Sequence, residues 1–456
     1  MKPVVFLSNF HPFITKNVLN SGVLNFLLNR ADVIIFVSKN DERYFKELYQ
    51  KNNVTVEGID IGHLARSRKN KLFIRIADWL LDTNVGRFRK IENLERTGDK
   101  IKYFFSLIFT RFFSRIKPFK RFIRELDYQI NNPRPFELFF SKYKPSVVFA
   151  TDIFSDYDLL LLKNARSFGV KTVAMVRSWD NTTGWGYARF APDKLIVHNE
   201  IMKAEMPKYH DISEKIIQIS GIPQFEQYLK MKPTSREEFY NKIGADINKR
   251  LVLFAPAGNF FIDTDWQICQ ILKDLYYEDK IPKDIQFIIR LHPFLPVDLS
   301  QFKPDENFII DITGSALFKP TLNTKTGGEL DKEFLQHLFD SLHYSSLVIN
   351  TISSIIIDAA ALDKPLITVN FNGWEKDVPV LKSLKRWRLA ENQISWMSFG
   401  MTPLIENKEE LVEWINKYLN NPALDSDKRK IFKQAYCGNY DGRSAERIAS
   451  FVLDQT

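Results

Sequence analysis

Three short polar segments in the second half of the chain carry residues that could bind a diphosphate. They are the turn with Gly258 and Asn259, the histidine at position 292, and the hydroxyl-bearing turn at 351–354. Each segment follows an apolar run of strand length, so all three would open at the carboxyl edge of one parallel sheet, where open α/β folds bind ligands. Together they offer hydrogen-bond donors to phosphoryl oxygens, because a helix that starts after a strand also presents free backbone N–H groups. The pattern predicts a phosphate site.

The hydroxyl-bearing turn belongs to the stretch around which the chain is organised. Residues 347–369 read as strand, turn, helix and strand, which is the pattern of one parallel βαβ unit. Thr351, Ser353 and Ser354 lie between the first strand and the helix, where a serine either caps the helix or donates to a ligand. Asp358 follows about one helical turn later. It could reach a ribose hydroxyl or favour the N-terminal half of the helix electrostatically.

A fourth polar segment, RSWDNTTGWG at 177–186, follows a predicted strand in the first half of the chain. It concentrates Trp179, Asp180, Asn181 and Trp185 in one turn, more functional side chains than a plain connection requires. The alternative is that the first tryptophan anchors a core and the aspartate only forms the turn.

His11 follows the first predicted strand, which is also a ligand position in an open α/β sheet. A loop histidine with no chemical role would occupy the same position, and the sequence leaves both interpretations open.

Several common site motifs are absent from the sequence. There is no GxGxxG after a strand and no GxxxxGK[ST], which argues against a dinucleotide redox enzyme and a P-loop NTPase. There is no HExxH, CxxC, EF-hand loop or GxSxG elbow. The seven histidines are scattered, and the two cysteines, Cys269 and Cys437, fit a reducing compartment better than a disulfide framework. We expect no bound metal and no cofactor beyond a nucleotide-activated donor used as substrate.

The elements that must position these residues alternate between strand and helix along both halves of the chain. The predicted strands are 3–8, 33–38, 145–151, 172–176, 194–197 and 216–219 in the first half, and 251–255, 284–291, 306–312, 347–350 and 366–369 in the second. This alternation predicts an α/β protein with two Rossmann-like domains. The predicted domains are residues 1–225, a linker at 226–249, a second domain at 250–438, and a C-terminal helix at 439–456.

Composition and charge limit the partners of the chain. Its 456 residues suffice for two or three domains, and a net charge of +9 favours anionic partners such as nucleotides or phospholipid surfaces. The N-terminus lacks the features of a signal peptide. No apolar run approaches the roughly 18–20 residues that span a bilayer. The sequence therefore predicts a cytoplasmic protein that is not integral to a membrane.

One stretch interrupts the α/β pattern and predicts a helical insertion at about 85–140 in the first domain. Residues 100–124 combine many Lys and Arg residues with a Phe or Tyr at most turns and contain no acid. Such a segment can lie on an anionic membrane, and we expect Arg111, Arg115, Lys120 and Arg121 to face the headgroups. The alternative is that its aromatic side chains pack into a core while the cations are merely solvated. Nucleic acid is a weaker partner because no recognised binding module accompanies the basic segment.

Four segments carry a resemblance to a known family. They are IIRLHPF at 288–294, INTISSIIIDAAALDKPLI at 349–367, YCGNYDGRSAERIA at 436–449, and VRSWDNTTGWG at 176–186 with the downstream DKLIVHNEI and ISGIPQF. Together they resemble GT-B glycosyltransferases, and more narrowly the bacterial surface-polymer transferases related to CDP-glycerol glycerophosphotransferases. The resemblance covers residues 145–450 well and the first 145 residues weakly.

The resemblance implies two Rossmann-like domains facing across a cleft, with His292, Ser353 and Ser354 on the donor's phosphates and Arg290 orienting or neutralising the same site. Thr351-Ile352 departs from the aspartate-tyrosine pair of the glycerophosphotransferases, which favours a nucleotide-sugar donor over CDP-glycerol. Many GT-B enzymes also carry a glutamate at the position of Asp358.

The sequence as a whole predicts a metal-independent GT-B glycosyltransferase peripheral to the inner face of the cell membrane. It would transfer a sugar from a nucleotide-activated donor to a surface-polysaccharide or lipid-linked acceptor. The candidate catalytic bases, in order of preference, are Asp180, His11 and Asp152. The alternatives are a CDP-glycerol or CDP-ribitol polyol-phosphate transferase, a nucleotide-sugar 2-epimerase, and a non-catalytic scaffold of polysaccharide assembly. The sugar, the nucleotide base, the acceptor, the stereochemical course and the oligomeric state are left open.

Overall fold

The computed structural model describes residues 2–292, 295, 297–311, 332–374 and 378–456. The chain divides into two compact units, each built on its own parallel sheet. The first unit comprises Met1–Glu226 and Ala435–Thr456, and the second comprises Gln227–Gln434.

The first unit contains a seven-stranded sheet in which every neighbouring pair is parallel. Its strands are β1 (Val4–Ser8), β2 (Asp32–Ser38), β3 (Val54–Ile59), β4 (Val147–Ala150), β5 (Lys171–Met175), β6 (Lys194–Val197) and β7 (Ile217–Ile219). The spatial order is β3-β2-β1-β4-β5-β6-β7. Strand order therefore reverses between β1 and β4, which makes this pair the topological switch point of the sheet. The edge strand β3 was not predicted from the sequence.

Helices cover both faces of this sheet. They are α1 (Pro12–Ile14), α2 (Val23–Leu28), α3 (Glu42–Tyr49), α4 (Gly62–Ala65), α5 (Arg68–Leu80), α6 (Asn84–Thr97), α7 (Lys100–Phe113), α8 (Lys117–Ile130), α9 (Glu137–Tyr143), α10 (Asp156–Ser167), α11 (Asn181–Gly184), α12 (Glu200–His210) and α13 (Pro223–Glu226). Val5 and Leu7 of β1 pack into one apolar cluster and Phe6 into the cluster on the opposite face. This period of two along the strand is what buries a sheet on both sides.

Helices α5, α7 and α8 of the first unit pack around a small aromatic cluster of their own. Phe109 and Phe113 of α7 and Phe119 of α8 contact Ala77 and Leu80 of α5 there. The predicted insertion of about 85–140 thus falls on helices α6 to α9. No helix in the described part of the chain is long and apolar enough to span a bilayer.

The cations of α8 do not all face solvent, which corrects part of the membrane prediction. Lys120 is buried and donates to the carbonyl of Tyr209 at 3.0 Å. Arg121 forms an ion pair with Asp211 at 2.6 Å. These cations meet the C-terminal end of α12, where free carbonyls and the helix dipole favour positive charge. Lys120 and Arg121 therefore attach the insertion to the sheet domain.

The second unit contains a six-stranded parallel sheet. Its strands are β8 (Arg250–Ala255), β9 (Ile285–Arg290), β10 (Phe308–Asp311), β11 (Ser345–Asn350), β12 (Leu366–Val369) and β13 (Leu404–Ile405). The order β10-β9-β8-β11-β12-β13 reverses between β8 and β11. This unit therefore repeats the doubly wound arrangement of the first, with its own switch point. The two-residue strand β13 was not predicted.

The helices of the second unit include one inside the predicted linker. They are α14 (Arg236–Ile243), α15 (Asp265–Tyr277), α16 (Lys332–Tyr344), α17 (Ile355–Ala361), α18 (Leu384–Trp387), α19 (Glu391–Ser398), α20 (Lys408–Asn420) and α21 (Ser426–Cys437). Phe239 and Tyr240 of α14 are buried against Leu251 of β8 and Ile288 of β9. Residues 226–249 thus contribute to the core of the second unit instead of forming a free linker.

The last helix, α22 (Ser444–Leu453), belongs to the first unit. Ile448 and Val452 are buried in the cluster that also contains β1 and α2. The Glu226 carboxylate accepts a hydrogen bond from the Ser444 amide at 2.7 Å, and the Arg447 guanidinium donates to it at 3.3 Å. Because Glu226 is buried, this contact specifies where the C-terminal helix docks.

A buried charge network in the first unit yields a stability prediction. Asp127 accepts from Lys163 at 2.9 Å and from Arg189 at 2.8 Å, and both Asp127 and Lys163 are fully buried. Asp127→Ala leaves a buried ammonium group unpaired, so the free energy of unfolding should fall by about 3–5 kcal/mol. Glu47→Ala, which removes the exposed Arg43–Glu47 pair, should change it by less than about 1 kcal/mol. Equal effects in chemical denaturation would contradict the assignment.

Candidate functional site

The topology of the second unit brings the three predicted phosphate segments together. At its switch point, Ala255 at the end of β8 is paired with Asn350 at the end of β11. Strand β9, which leads to His292, pairs with β8 on its other side. The turn at 256–259, His292 and the turn at 351–354 therefore follow three adjacent strands at one carboxyl edge.

The glycine turn is held by a carboxylate that was not recognised from the sequence. The Asp265 carboxylate accepts hydrogen bonds from the Ala257 amide at 3.1 Å and the Gly258 amide at 2.7 Å. Gly258 has φ +89°, which strains any residue with a Cβ atom. Asn259 accepts from the Asp298 amide at 2.8 Å. The amides of Ala257 and Gly258 thus donate to Asp265, and a direct contact of this turn with a phosphate stays a prediction.

His292 is prepared to donate a hydrogen bond. Its Nδ1 accepts from the Leu295 amide at 3.0 Å, and burial lowers the pKa of the imidazole to about 4. The ring is therefore neutral at pH 7 with its proton on Nε2. A neutral Nε2–H group can donate to a phosphoryl oxygen without first gaining a charge. Pro293 and Phe294, which complete the sequence motif, lie outside the described residues.

The serine turn has a different geometry at each hydroxyl. Ser353 Oγ accepts from the Ile355 amide at 3.4 Å, a long contact. Ser354 is the N-cap residue of α17 by position, but its exposed side chain makes no capping hydrogen bond. Thr351 is buried at the end of β11. Of the three hydroxyls, the one on Ser354 is the most accessible to a ligand.

Arg290 is fixed by partners that sequence reasoning missed. Its guanidinium forms an ion pair with Asp311 at 2.8 Å, and His337 Nε2 lies 2.9 Å from the same carboxylate. All three side chains are buried. Nη2 of Arg290 is buried and has no hydrogen-bond partner among the described residues. The arrangement orients the guanidinium at the end of β9 and leaves one of its amino groups for another acceptor.

Asp358 also has a partner within the protein. Its Oδ1 accepts from the Tyr228 hydroxyl at 2.6 Å, and both residues are buried. The tyrosine comes from the segment predicted to be a linker. This contact gives the carboxylate a structural role, while a contact with a ribose stays a prediction.

The switch point of the first unit opens into a cavity of about 510 Å³. His11 follows β1, Asp152 follows β4 and Arg177 follows β5, and all three line this cavity. Two of the three predicted bases therefore lie at the carboxyl edge of the first sheet. Asp180 does not line the cavity; it is the N-cap residue of the short helix α11.

The environment of His11 suits a hydrogen-bond donor better than a base. Its Nδ1 accepts from the Phe13 amide at 3.1 Å. Burial, with a smaller contribution from the charge of Arg177, lowers the pKa of the imidazole to about 3. A ring of such low basicity, with Nδ1 already used, holds its proton on Nε2 and has little tendency to accept another.

Asp152 is the predicted base whose environment fits that role best. Its carboxylate pairs with Arg177 at 2.8 Å and accepts from the Phe154 amide at 3.1 Å. Burial nevertheless raises the pKa of this carboxyl, which makes it more basic than a solvated aspartate. The Asp158 carboxylate adjoins this residue: it accepts hydrogen bonds from the Asp152 amide at 3.2 Å and from the Ser8 hydroxyl.

The turn at 177–186 is held from two sides and presents one exposed ring. His210 Nε2 donates to the Thr182 carbonyl at 2.7 Å while its Nδ1 accepts from the Ala188 amide, and the Thr83 hydroxyl donates to the Thr183 carbonyl at 2.9 Å. Trp185 is 48% exposed. Its ring lies close to the guanidinium groups of Arg89 and Arg177.

The two guanidinium carbons lie 5.3 and 5.6 Å from the centre of the Trp185 ring. Asp78, Arg89 and Arg189 also line the cavity. Asp78 comes from α5 and Arg89 from α6 of the helical insertion, where no sequence motif indicated a site. The cavity therefore combines an aromatic platform with several cations and carboxylates.

Comparison with solved structures defines the fold. The UDP-GlcNAc 2-epimerase of Methanocaldococcus jannaschii matches with a TM-score of 0.55 at 16% identity, covering 100% of both chains. The UDP-GlcNAc 2-epimerase of Neisseria meningitidis, bound to UDP-GlcNAc, matches with a TM-score of 0.54 at 12% identity, covering 99% of both. A glycosyltransferase of Rickettsia africae matches with a TM-score of 0.50 at 11% identity, covering 100% of both. The predicted α/β fold with two Rossmann-like domains of the GT-B class is confirmed.

A family comparison then identifies the protein more narrowly. Residues 177–454, more than half of the chain, match the model of the CDP-Glycerol:Poly(glycerophosphate) glycerophosphotransferase family. The chain belongs to this family and is an enzyme, a transferase of the glycosyltransferase type. No curated protein matches the sequence. The matched residues include the turn at 177–186, the whole second unit and α22.

Asp158 gives the first unit a testable pH dependence. Burial, reinforced by the charge of Asp152, raises the pKa of Asp158 to about 7. The folded state thus keeps a proton that the unfolded state loses above about pH 4, so the free energy of unfolding falls as pH rises from about 4 to 7. Asp158→Asn keeps an acceptor for both donors but cannot ionise. Relative to this variant, the free energy of unfolding of the wild type, measured by chemical denaturation, should fall by up to about 4 kcal/mol between about pH 4 and 7. If the free energies of unfolding of the two proteins change in parallel with pH, the assignment is wrong.

Proposed function

We propose that this enzyme transfers a glycosyl group from a nucleotide-sugar donor to a surface-polysaccharide or lipid-linked acceptor at the inner face of the cell membrane. The observation that carries the donor side is the position of His292, Arg290 and the serine turn around the β8–β11 switch point, inside the region matched by the family. Ligands of open α/β sheets bind at such positions.

The diphosphate of the nucleotide sugar would accept hydrogen bonds from neutral and cationic groups of the second unit. The Nε2–H group of His292, Nη2 of Arg290 and the Ser354 hydroxyl are the groups we assign to phosphoryl oxygens. They would stabilise the negative charge that develops on the departing nucleotide. Such electrostatic stabilisation by fixed dipoles and charges is usually the largest single contribution to catalysis. Asp265 would act indirectly by holding the turn that carries Asn259.

The acceptor would occupy the cavity of the first unit. Trp185 offers a face on which a sugar ring can stack, and His11 and Arg177 offer donors to its oxygens. We assign Asp152 as the base that removes the proton of the attacking hydroxyl, because its raised pKa favours proton uptake. Asp180 stays a weaker candidate, since it lies outside the cavity.

A second candidate function is transfer of a polyol phosphate from CDP-glycerol or CDP-ribitol. The family match over residues 177–454 favours it. The sequence Thr351-Ile352, in place of the aspartate-tyrosine pair, favours the sugar donor. The two functions differ in the donor and share the phosphate site.

A thermal-shift panel of UDP-, GDP- and CDP-linked sugars, with CDP-glycerol and CDP-ribitol, tests the donor. A donor at roughly 100 times its Kd should add about 2.7 kcal/mol to the free energy of unfolding. His292→Ala should weaken that donor by about tenfold or more, because it removes a hydrogen bond to a charged group. His343→Ala, the same change at an exposed position of α16, should leave affinity unchanged.

The panel also separates the alternatives. A shift with a CDP-polyol alone would replace the sugar donor by the second candidate. Turnover of a nucleotide sugar to its 2-epimer, without acceptor and without release of free nucleotide, would identify an epimerase. Binding with no turnover of any donor would identify a non-catalytic scaffold. No shift with any compound would remove His292 and the serine turn as a phosphate site.

We further propose that α7 lies against an anionic membrane. Its exposed apolar residues recur at intervals of three and four, and their side chains are 54–86% exposed: Ile101, Phe104, Phe105, Ile108 and Phe112. Arg111 and Arg115 are exposed beside them. A stripe of aromatic residues flanked by cations matches an interface of acyl chains and anionic headgroups.

The membrane proposal predicts the behaviour of two surface variants. The triple variant Phe104→Ser, Ile108→Ser and Phe112→Ser should sediment with phosphatidylglycerol vesicles at least about tenfold less well than wild type, because burial of each side chain contributes roughly 1.5–3 kcal/mol. The matched triple variant at Leu48, Phe260 and Ile431, which are exposed elsewhere, should bind like wild type. If wild type does not sediment with these vesicles, the proposal is wrong.

A further inference from the structure

A second cavity, which the donor and acceptor assignments do not use, lies between α5 and the helical insertion; it is called the insertion cavity below. It has a volume of about 430 Å³ and lies among α5, α6, α7 and the end of the turn at 177–186. Six cationic side chains line it, against two acidic ones, Asp78 and Glu92. The cations are Lys71, Arg75, Arg89, Lys90, Arg96 and Lys102. Such an excess of one charge around a concave surface concentrates anions.

Among these cations, Lys90 gives the strongest argument for a bound anion. It is buried, and its ammonium group donates to the Thr110 hydroxyl at 2.8 Å. Within the described residues no carboxylate lies within 4.0 Å of it, although the charges of Asp82 and Asp78 act on it from further away, and burial lowers its pKa to about 8. Burying an ammonium group without a counter-charge in contact is costly. A bound anion would supply that contact.

The other cations of the cavity differ in their partners. Arg89 forms an ion pair with Asp78 at 3.4 Å. Among the described residues, Arg75 and Lys102 form no ion pair, although both line the cavity. Tyr103 and Ser106 of α7 add hydroxyl groups to the same wall. Guanidinium, ammonium and hydroxyl donors around one space are the groups that bind phosphate.

The position of the cavity indicates which molecule carries the phosphate. It shares Ile74, Asp78 and Arg89 with the acceptor cavity, so the two spaces adjoin. On its other side, α7 separates it from the exposed apolar stripe. An α-helix with its side chains is roughly 10 Å across. A molecule with a glycan, a phosphate and an apolar tail would meet a matching surface at each of the three places.

We propose that this insertion cavity binds a phosphate or diphosphate group of the acceptor, between its glycan and an apolar anchor. The inference rests on the proposed function for the identity of the acceptor. The phosphate chemistry of the cavity stands independently of any donor.

Titration calorimetry of the full chain with inorganic pyrophosphate tests the site. Arg75→Glu combined with Lys102→Glu should weaken binding by roughly tenfold or more, since each reversal replaces attraction by repulsion at short range. The matched variant Arg68→Glu with Lys100→Glu makes the same charge change on the same two helices at exposed positions outside the cavity lining. It should change affinity by less than about twofold, because exposed charges at a distance are screened.

Several outcomes would overturn the assignment. They are no binding of pyrophosphate by wild type at millimolar concentration, an equal loss in both double variants, or a loss in His292→Ala with binding kept in the cavity variant. Binding that persists in His292→Ala assigns pyrophosphate to the insertion cavity even if the donor panel shows no shift. Failure of the two proposals is therefore distinguishable.

Phosphatidylglycerol vesicles separate the acceptor from a lipid headgroup as the source of the phosphate. If the acceptor supplies it, Arg75→Glu with Lys102→Glu should sediment with vesicles like the matched variant while losing pyrophosphate. It should also raise KM for a lipid-diphosphate acceptor without raising KM for the donor. A loss of vesicle binding restricted to the cavity variant would assign the cavity to headgroups and refute the acceptor assignment.

Discussion

The reversal of strand order at the centre of each sheet is the constraint on which the functional part of this protein depends. Crossover helices leave a switch point in opposite directions, so they cannot cover the carboxyl ends of the two central strands. At β1 and β4 this leaves room for His11 and Asp152, and at β8 and β11 for the turns at 256–259 and 351–354. The apolar runs that build the strands thereby also determine where polar residues can meet a ligand.

Burial at these two edges controls the charge of the groups that face a ligand. His11 and His292 each accept a backbone N–H group at Nδ1, and burial lowers both pKa values well below neutrality. Both rings are therefore neutral donors at Nε2. Buried carboxyls respond in the opposite direction, and the pKa values of Asp158 and Asp265 rise to about 7. Loss of solvation is thus the one physical cause that keeps the histidines neutral and makes the carboxyls weaker acids at each of the two edges.

Local patterns predicted eleven of the thirteen described strands and the position of the three polar segments at one sheet edge, because apolar periodicity and the end of a strand are visible in sequence. The binding of a phosphate by these segments stays a prediction. Strand β3 was missed because Thr55, Glu57 and Gly58 interrupt its apolar pattern at a sheet edge. The partners of the predicted residues were missed for a different reason. Asp265 and Asp311 reach the site from other elements, and Tyr228 reaches Asp358 across 130 residues. Nothing in a short motif encodes such contacts.

The helical insertion was the part of the sequence most open to misinterpretation, because one composition supports two arrangements. A helix rich in Phe, Lys and Arg can bury its aromatic face and expose its charges, or do the reverse. Helix α7 does both: Phe109 and Phe113 pack inward, Phe104 and Phe112 point outward, and Lys102 turns toward a cavity. In α8 the cations are used instead to cap α12. A helix that merely filled space would not expose its apolar residues while keeping cations inside, since both choices oppose folding in water. On our two proposals for the insertion, an amphiphilic anion that lies against it would make both choices favourable.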